Sequence, residues 1–243
     1  MENKLYRLFC FLENNRSYNK NLQIKYYRTI IKPSDNIFDK LVSLLYHIAN
    51  TQSQPKIDKL AKFYRIIYQN RESLNSFSNF IKTLDSSTSN NYKGLFESMK
   101  SQEGWGNKTA ALFTKSIFHL HNGQYPSELR IWDDAPCEIV PEDVFYLPVD
   151  IVITSIFEKL DSKKPWNFET INEILKITYK GQQIELWDDL WFWGFITQNG
   201  SGENRKHEWN ENKYWALEES DKNAETITDI KSKANKFLDI LKS

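Results

Sequence analysis

The chain has 243 residues, 40% of them hydrophobic and 14% aromatic, enough apolar surface for a substantial core in one large domain or two small lobes, so a disordered chain is excluded. Its 32 basic and 32 acidic side chains cancel, and a nucleic-acid partner, usually met by a basic domain, would have to be held by a local positive face. No apolar run is long enough to span a membrane, Lys4, Arg7 and Glu13 interrupt the start where a signal peptide would be apolar, and Cys10 and Cys137 are too few for a disulfide framework or a four-cysteine cluster; a soluble intracellular protein with no membrane partner is expected.

In chain order, residues 3–12 have a helical pattern, 14–21 read as a polar break, and a tyrosine-rich stretch over 22–31 ends at Lys32 and Pro33. Ser34 and Asp35 are good caps for a strongly apolar helix from 37 to about 49. A polar turn over 50–55, which includes Gln52, precedes a helix over 56–68. Residues 74–84 form one more amphipathic helix, and 85–91 form a loop.

The next stretch carries the most chemistry. Residues 92–100 are helical, with Leu95, Phe96 and Met99 on one side, and after Gly104-Trp105-Gly106-Asn107-Lys108-Thr109 a second helix runs to about residue 121. Two short helices joined by a glycine-bearing turn expose backbone N–H groups at the start of the second helix, a geometry that suits phosphate. Lys108 falls in the first turn of that helix, where an amine can serve as a nucleophile; the plainer reading is a solvated lysine after a turn. A P-loop does not fit, because Gly106 and Lys108 are not adjacent and no apolar strand precedes them.

Gly123, Pro126, Pro136 and Pro141 forbid a long helix over 121–146, and Asp133 and Asp134 read there as a solvated turn. Leu147-Pro148-Val149-Asp150 then leads into another helix, so Asp150 stands at a helix start, where the common job of an aspartate is an N-cap. Residues 167–179 are helical and 184–197 form an apolar helix containing Asp188, Trp191 and Phe192; Trp209, Tyr214 and Trp215 could pack over it. An amphipathic helix over 221–241 closes the sequence. The four histidines have no partners at strong metal-ligand spacing.

Together, the lysine-bearing hairpin and the Pro-Val-Asp helix start resemble the helix-hairpin-helix DNA glycosylases, the superfamily of endonuclease III and the 8-oxoguanine glycosylases. The run between Lys108 and Asp150 is longer than in endonuclease III, which makes the pattern most similar to the archaeal-type 8-oxoguanine glycosylases. The resemblance implies an all-α fold of two helical lobes with an active cleft between them: residues 1–36 and 146–243 in the terminal lobe, 37–145 in the other. It implies Lys108 as the Schiff-base nucleophile and Asp150 as its carboxylate partner. Gly104, Trp105, Gly106, Asn107 and Thr109 would contact DNA, and Gln52 would fill the space left by an extruded base. Asp188 and Phe192, with Trp191 as the alternative one position away, would form the base pocket.

The implied activity is a bifunctional glycosylase and AP lyase of base excision repair that removes an oxidised purine from damaged double-stranded DNA. The implied protein is a cytoplasmic monomer without cofactor, since the cysteines for an iron–sulfur cluster are missing. Glu103 stands where the family often has proline, and Ile151 and Val152 where it has polar residues. The competing expectation is a helix-hairpin-helix module that binds DNA or a partner and does not catalyse.

Overall fold

Most of the chain places apolar residues at helical spacing and punctuates them with Asn, Ser, Asp or Gly, and the structure is accordingly helical. The computed structural model describes residues 1–217 and 224–242. Its helices are α1 (Glu2–Asn14), α2 (Arg16–Ile31), α3 (Ile37–Ala49), α4 (Ile57–Gln69), α5 (Phe77–Leu84), α6 (Tyr92–Lys100), α7 (Asn107–His121), α8 (Ile151–Leu160), α9 (Phe168–Thr178), α10 (Gln182–Leu186), α11 (Asp189–Ile196), α12 (Glu211–Leu217) and α13 (Ala224–Lys242). The all-α expectation holds. The sequence suggested no strand pair, yet β1 (Gln198–Asn199) pairs antiparallel with β2 (Lys206–His207). Two residues per strand are too few to leave an alternating pattern. No described helix is long and apolar enough to cross a membrane.

The chain divides into two compact units. The terminal unit holds Met1–Leu22, Val149–Ile177 and the described part of Leu186–Ser243; the middle unit holds Gln23–Pro148 and Thr178–Glu185. Residues 23–36, assigned to the termini from sequence, thus group with the middle of the chain. The reason lies in the supposed polar break at 14–21: Asn15 interrupts the helix for one residue, its side chain donating to the Phe11 carbonyl at 2.7 Å, and α2 resumes at Arg16. The polar residues there are a helix face, not a loop.

In the terminal unit α1, α8, α11 and α13 pack together around Leu8, Leu12, Ile156, Phe157, Trp193 and Phe237. Gly194 permits the close approach of α11 to α8, since a Cβ there would lie 2.6 Å from Ile156 Cδ1 and 2.8 Å from Val152 Cγ1. The single helix expected over 184–197 is two, α10 and α11, broken at Trp187 and Asp188. A run that is apolar on nearly every side has no period in which such a break could show. α13 starts at Ala224; the expected start at Asp221 lies outside the described residues.

In the middle unit α6 packs on α7, α3 on α7 and α5 on α6, around Phe80, Tyr92, Phe113, Phe118 and Trp132. The irregular segment after α7 is a strap that caps two of these helices. Asp134, expected in a solvated turn, instead accepts from the Phe77 N–H at 2.7 Å and the Ser78 N–H at 3.0 Å at the start of α5. Burial pushes its carboxyl up, but hydrogen bonds from Ser78 and Phe77 outweigh this and hold it below its usual range. Asp143 holds the start of α6, accepting from Tyr92 N–H at 2.9 Å and Lys93 N–H at 2.8 Å. The strap begins at His121, whose Nδ1 bonds the Ile117 carbonyl at 2.7 Å and whose Nε2 faces the N–H groups of Ile131 and Trp132 at 3.3 and 3.1 Å.

Candidate active site

The hairpin is built from its ends inward. Asn91 caps α6 by accepting from the Gly94 N–H at 2.9 Å, and α6 ends at Lys100. Gln102 anchors the turn, its amide donating to the Leu84 carbonyl at 3.1 Å and the Ser98 carbonyl at 3.0 Å. Gly104 takes φ +87°, and a Cβ there would meet Leu60 Cδ2 at 3.0 Å and the Leu60 backbone N at 3.1 Å, so both conformation and packing demand glycine. Gly106, the N-cap residue of α7, has φ −127° and open space where a Cβ would be. Its N–H donates to Thr109 Oγ1 at 3.1 Å, and no side chain caps the first turn of α7. The start of that helix therefore offers its dipole to an anion from an exposed glycine.

Two residues singled out from sequence meet at this hairpin. Lys108 Nζ donates to the Thr51 carbonyl at 3.1 Å, and the side-chain amide of the adjacent Gln52 donates to the Gly104 carbonyl at 3.1 Å. The turn between α3 and α4 is thus held against the hairpin from both directions. Trp105 does not face outward: it is 6% exposed and packs against Phe63 and Phe113. Its indole belongs to the core, so DNA would find no aromatic side chain at that position. Asn107 and Lys108 are half-buried and Thr109 is buried. Glu103 pairs with Lys62 at 3.2 Å on the surface.

Asp150 lies in the terminal unit and is the N-cap of α8. Its Oδ1 accepts from the N–H groups of Val152 at 2.9 Å and Ile153 at 3.1 Å, the capping duty that the position implies. Its Oδ2 accepts from the indole N–H of Trp191 at 2.9 Å. Trp191 stacks on Phe195 with ring centroids 4.9 Å apart and planes 13° apart, and Lys213 Nζ lies 4.9 Å from the Phe195 ring centroid. Burial, with Arg205 nearby, pushes the Lys213 amine down from its usual value. The spacing of Trp191 and Phe195 on one helix is legible as a stack, but nothing local to either residue signals the bond to Asp150.

The expected base pocket is only partly available. Phe192 is 1% exposed and sits edge-on to Trp193 in the core of the terminal unit, and Asp188 is buried at the start of α11. Trp191 is half-buried. Among the described residues no group of three or more His, Cys, Asp or Glu is arranged to hold a metal ion. Comparison with protein-family models, curated proteins and solved structures returns no match.

Proposed function

We propose that the protein is a DNA glycosylase with AP-lyase activity that works through an imine on Lys108. The observation that carries this reading is the hairpin: a glycine-bearing turn opens α7 without a side-chain cap, and Lys108 lies in that helix's first turn beside the Thr51–Gln52 turn. Gly106 strengthens it, because neither its φ nor its surroundings demand glycine. A close approach of DNA phosphate to the backbone would.

In the proposed reaction the Lys108 amine attacks the sugar C1′ of an extruded nucleotide, the base leaves with the C1′–N electron pair, and the ring opens to a Schiff base. Loss of a C2′ proton then expels the 3′ phosphate by β-elimination, and water releases the lysine. The resemblance gives Asp150 the role of the carboxylate that stabilises positive charge on the sugar while the base departs. Gln52 would leave the Gly104 carbonyl to fill the vacated place in the duplex. The choice of an oxidised purine rests on the resemblance over residues 188–192. With Phe192 and Asp188 both buried, that region supports it through the half-buried Trp191 alone.

The test is strand scission on a duplex containing an abasic site, where lyase chemistry needs no base recognition. The wild-type chain cleaves it, Lys108→Gln loses cleavage by at least about a thousandfold while keeping its helical fold, and Asp150→Asn slows it strongly. Binding without cleavage by the wild type, with affinity changed by no more than one charge in Lys108→Gln, would instead establish a binding module.

A further inference from the structure

An N-cap aspartate needs its carboxylate to accept backbone N–H groups, and Asp150 Oδ1 already does so twice. The Trp191 indole N–H on Oδ2 is additional, and it comes from a ring that is itself held. Phe195 lies flat against that ring, Lys213 Nζ lies over Phe195, and both aromatic residues belong to α11, which Gly194 lets pack closely on α8. A second link runs beside it: the Gln198 amide donates to the Val152 carbonyl at 3.0 Å, and Arg205 donates to Gln198 Oε1 at 2.6 Å. The carboxylate is therefore fixed on both oxygens by groups that cannot easily turn.

We propose that Trp191 is a positioning residue for Asp150: the indole N–H holds Oδ2 in a set orientation as charge develops on the sugar. This rests on the lyase function proposed above and gives Trp191 a role different from base stacking. The two roles separate on an abasic-site duplex, which presents no base. They separate again in Trp191→Phe, which keeps an aromatic ring beside Phe195 and deletes the N–H.

The experiment is single-turnover cleavage of that duplex by the full chain across DNA concentration. A hydrogen bond from a neutral donor to a charged acceptor supports an expected fall of about 10- to 100-fold in the saturating rate of Trp191→Phe, with the half-saturating concentration unchanged. Trp191→His, whose Nε2–H lies the same number of bonds from Cβ as the indole N–H, restores much of the rate. Trp191→Phe added to Asp150→Asn costs little more than Asp150→Asn alone. Circular dichroism monitors folding; if Trp191→Phe does not fold, Phe195→Leu, which unseats the indole but leaves its N–H, must lower the same rate by a smaller factor. An active wild type matched in rate by a folded Trp191→Phe, or by a folded Phe195→Leu standing in for it, overturns the positioning role and leaves the lyase function standing. A wild type that neither cleaves nor is trapped on the abasic site overturns both.

Discussion

Gly104 and Gly106 lie two residues apart and answer to different demands. Gly104 has φ +87° and Leu60 against its α-carbon, so Gly104→Ala is expected to cost about 1–3 kcal/mol in chemical denaturation. Gly106 has neither constraint, and Gly106→Ala should cost less than about 1 kcal/mol while weakening duplex binding, measured by fluorescence anisotropy, about tenfold or more. If Gly106→Ala binds DNA like the wild type, the hairpin is not the phosphate contact. The sequence shows both glycines but not this division of labour, because Leu60, which leaves no room for a Cβ at Gly104, is far from it in the chain. Trp105 is the converse case: flanked by the two glycines it reads as part of an exposed turn, and the apolar space beside Phe63 and Phe113 buries it instead.

Among the elements, the strap after α7 was the least legible. Four residues, Gly123, Pro126, Pro136 and Pro141, rule out a long helix, and nothing near Asp134 or Asp143 in sequence tells of the helix starts they hold. Asp143→Ala removes three hydrogen bonds from buried or half-buried N–H groups, those of Tyr92, Lys93 and Val144, and should destabilise the protein by about 2 kcal/mol in urea unfolding, whereas Asp133→Ala should change it by less than about 0.5 kcal/mol. His121 adds a pH dependence. Burial pushes its imidazole below the usual value, and its Nε2 already faces two N–H donors, so the native state resists protonation. The unfolded state then binds the extra proton, and stability contributed by neutral His121 is present above the ordinary histidine pKa and is lost as pH falls below it. Thermal melts through that range should show Tm falling toward acid, and NMR should find the His121 ring neutral at a pH where the free amino acid is charged. A ring that titrates like free histidine contradicts this.

For the molecule as a whole, helical periodicity was strong enough to fix the all-α class, while the partition into units was blurred at α2, where a one-residue interruption at Asn15 had the composition of a loop. The cancelled net charge leaves the proposed DNA binding to local groups. Lys93 and Lys100 on α6 are exposed and Lys108 is half-exposed, but Lys115 on α7 is buried and is no phosphate ligand as it stands. Three phosphate contacts predict that log Kobs falls with log salt at a slope of about −3, and a slope of about −6 or steeper would mean that a larger basic face is engaged. The proposed lysine imine can be trapped by borohydride reduction on duplexes carrying 8-oxoguanine, an oxidised pyrimidine, an abasic site or no lesion. A covalent protein–DNA adduct is expected on a lesion and on the abasic site, absent from undamaged duplex, mapped to Lys108 by peptide mass spectrometry and lost in Lys108→Gln. A bound duplex that yields no adduct on any substrate, or an adduct that persists in Lys108→Gln, would contradict an imine on Lys108.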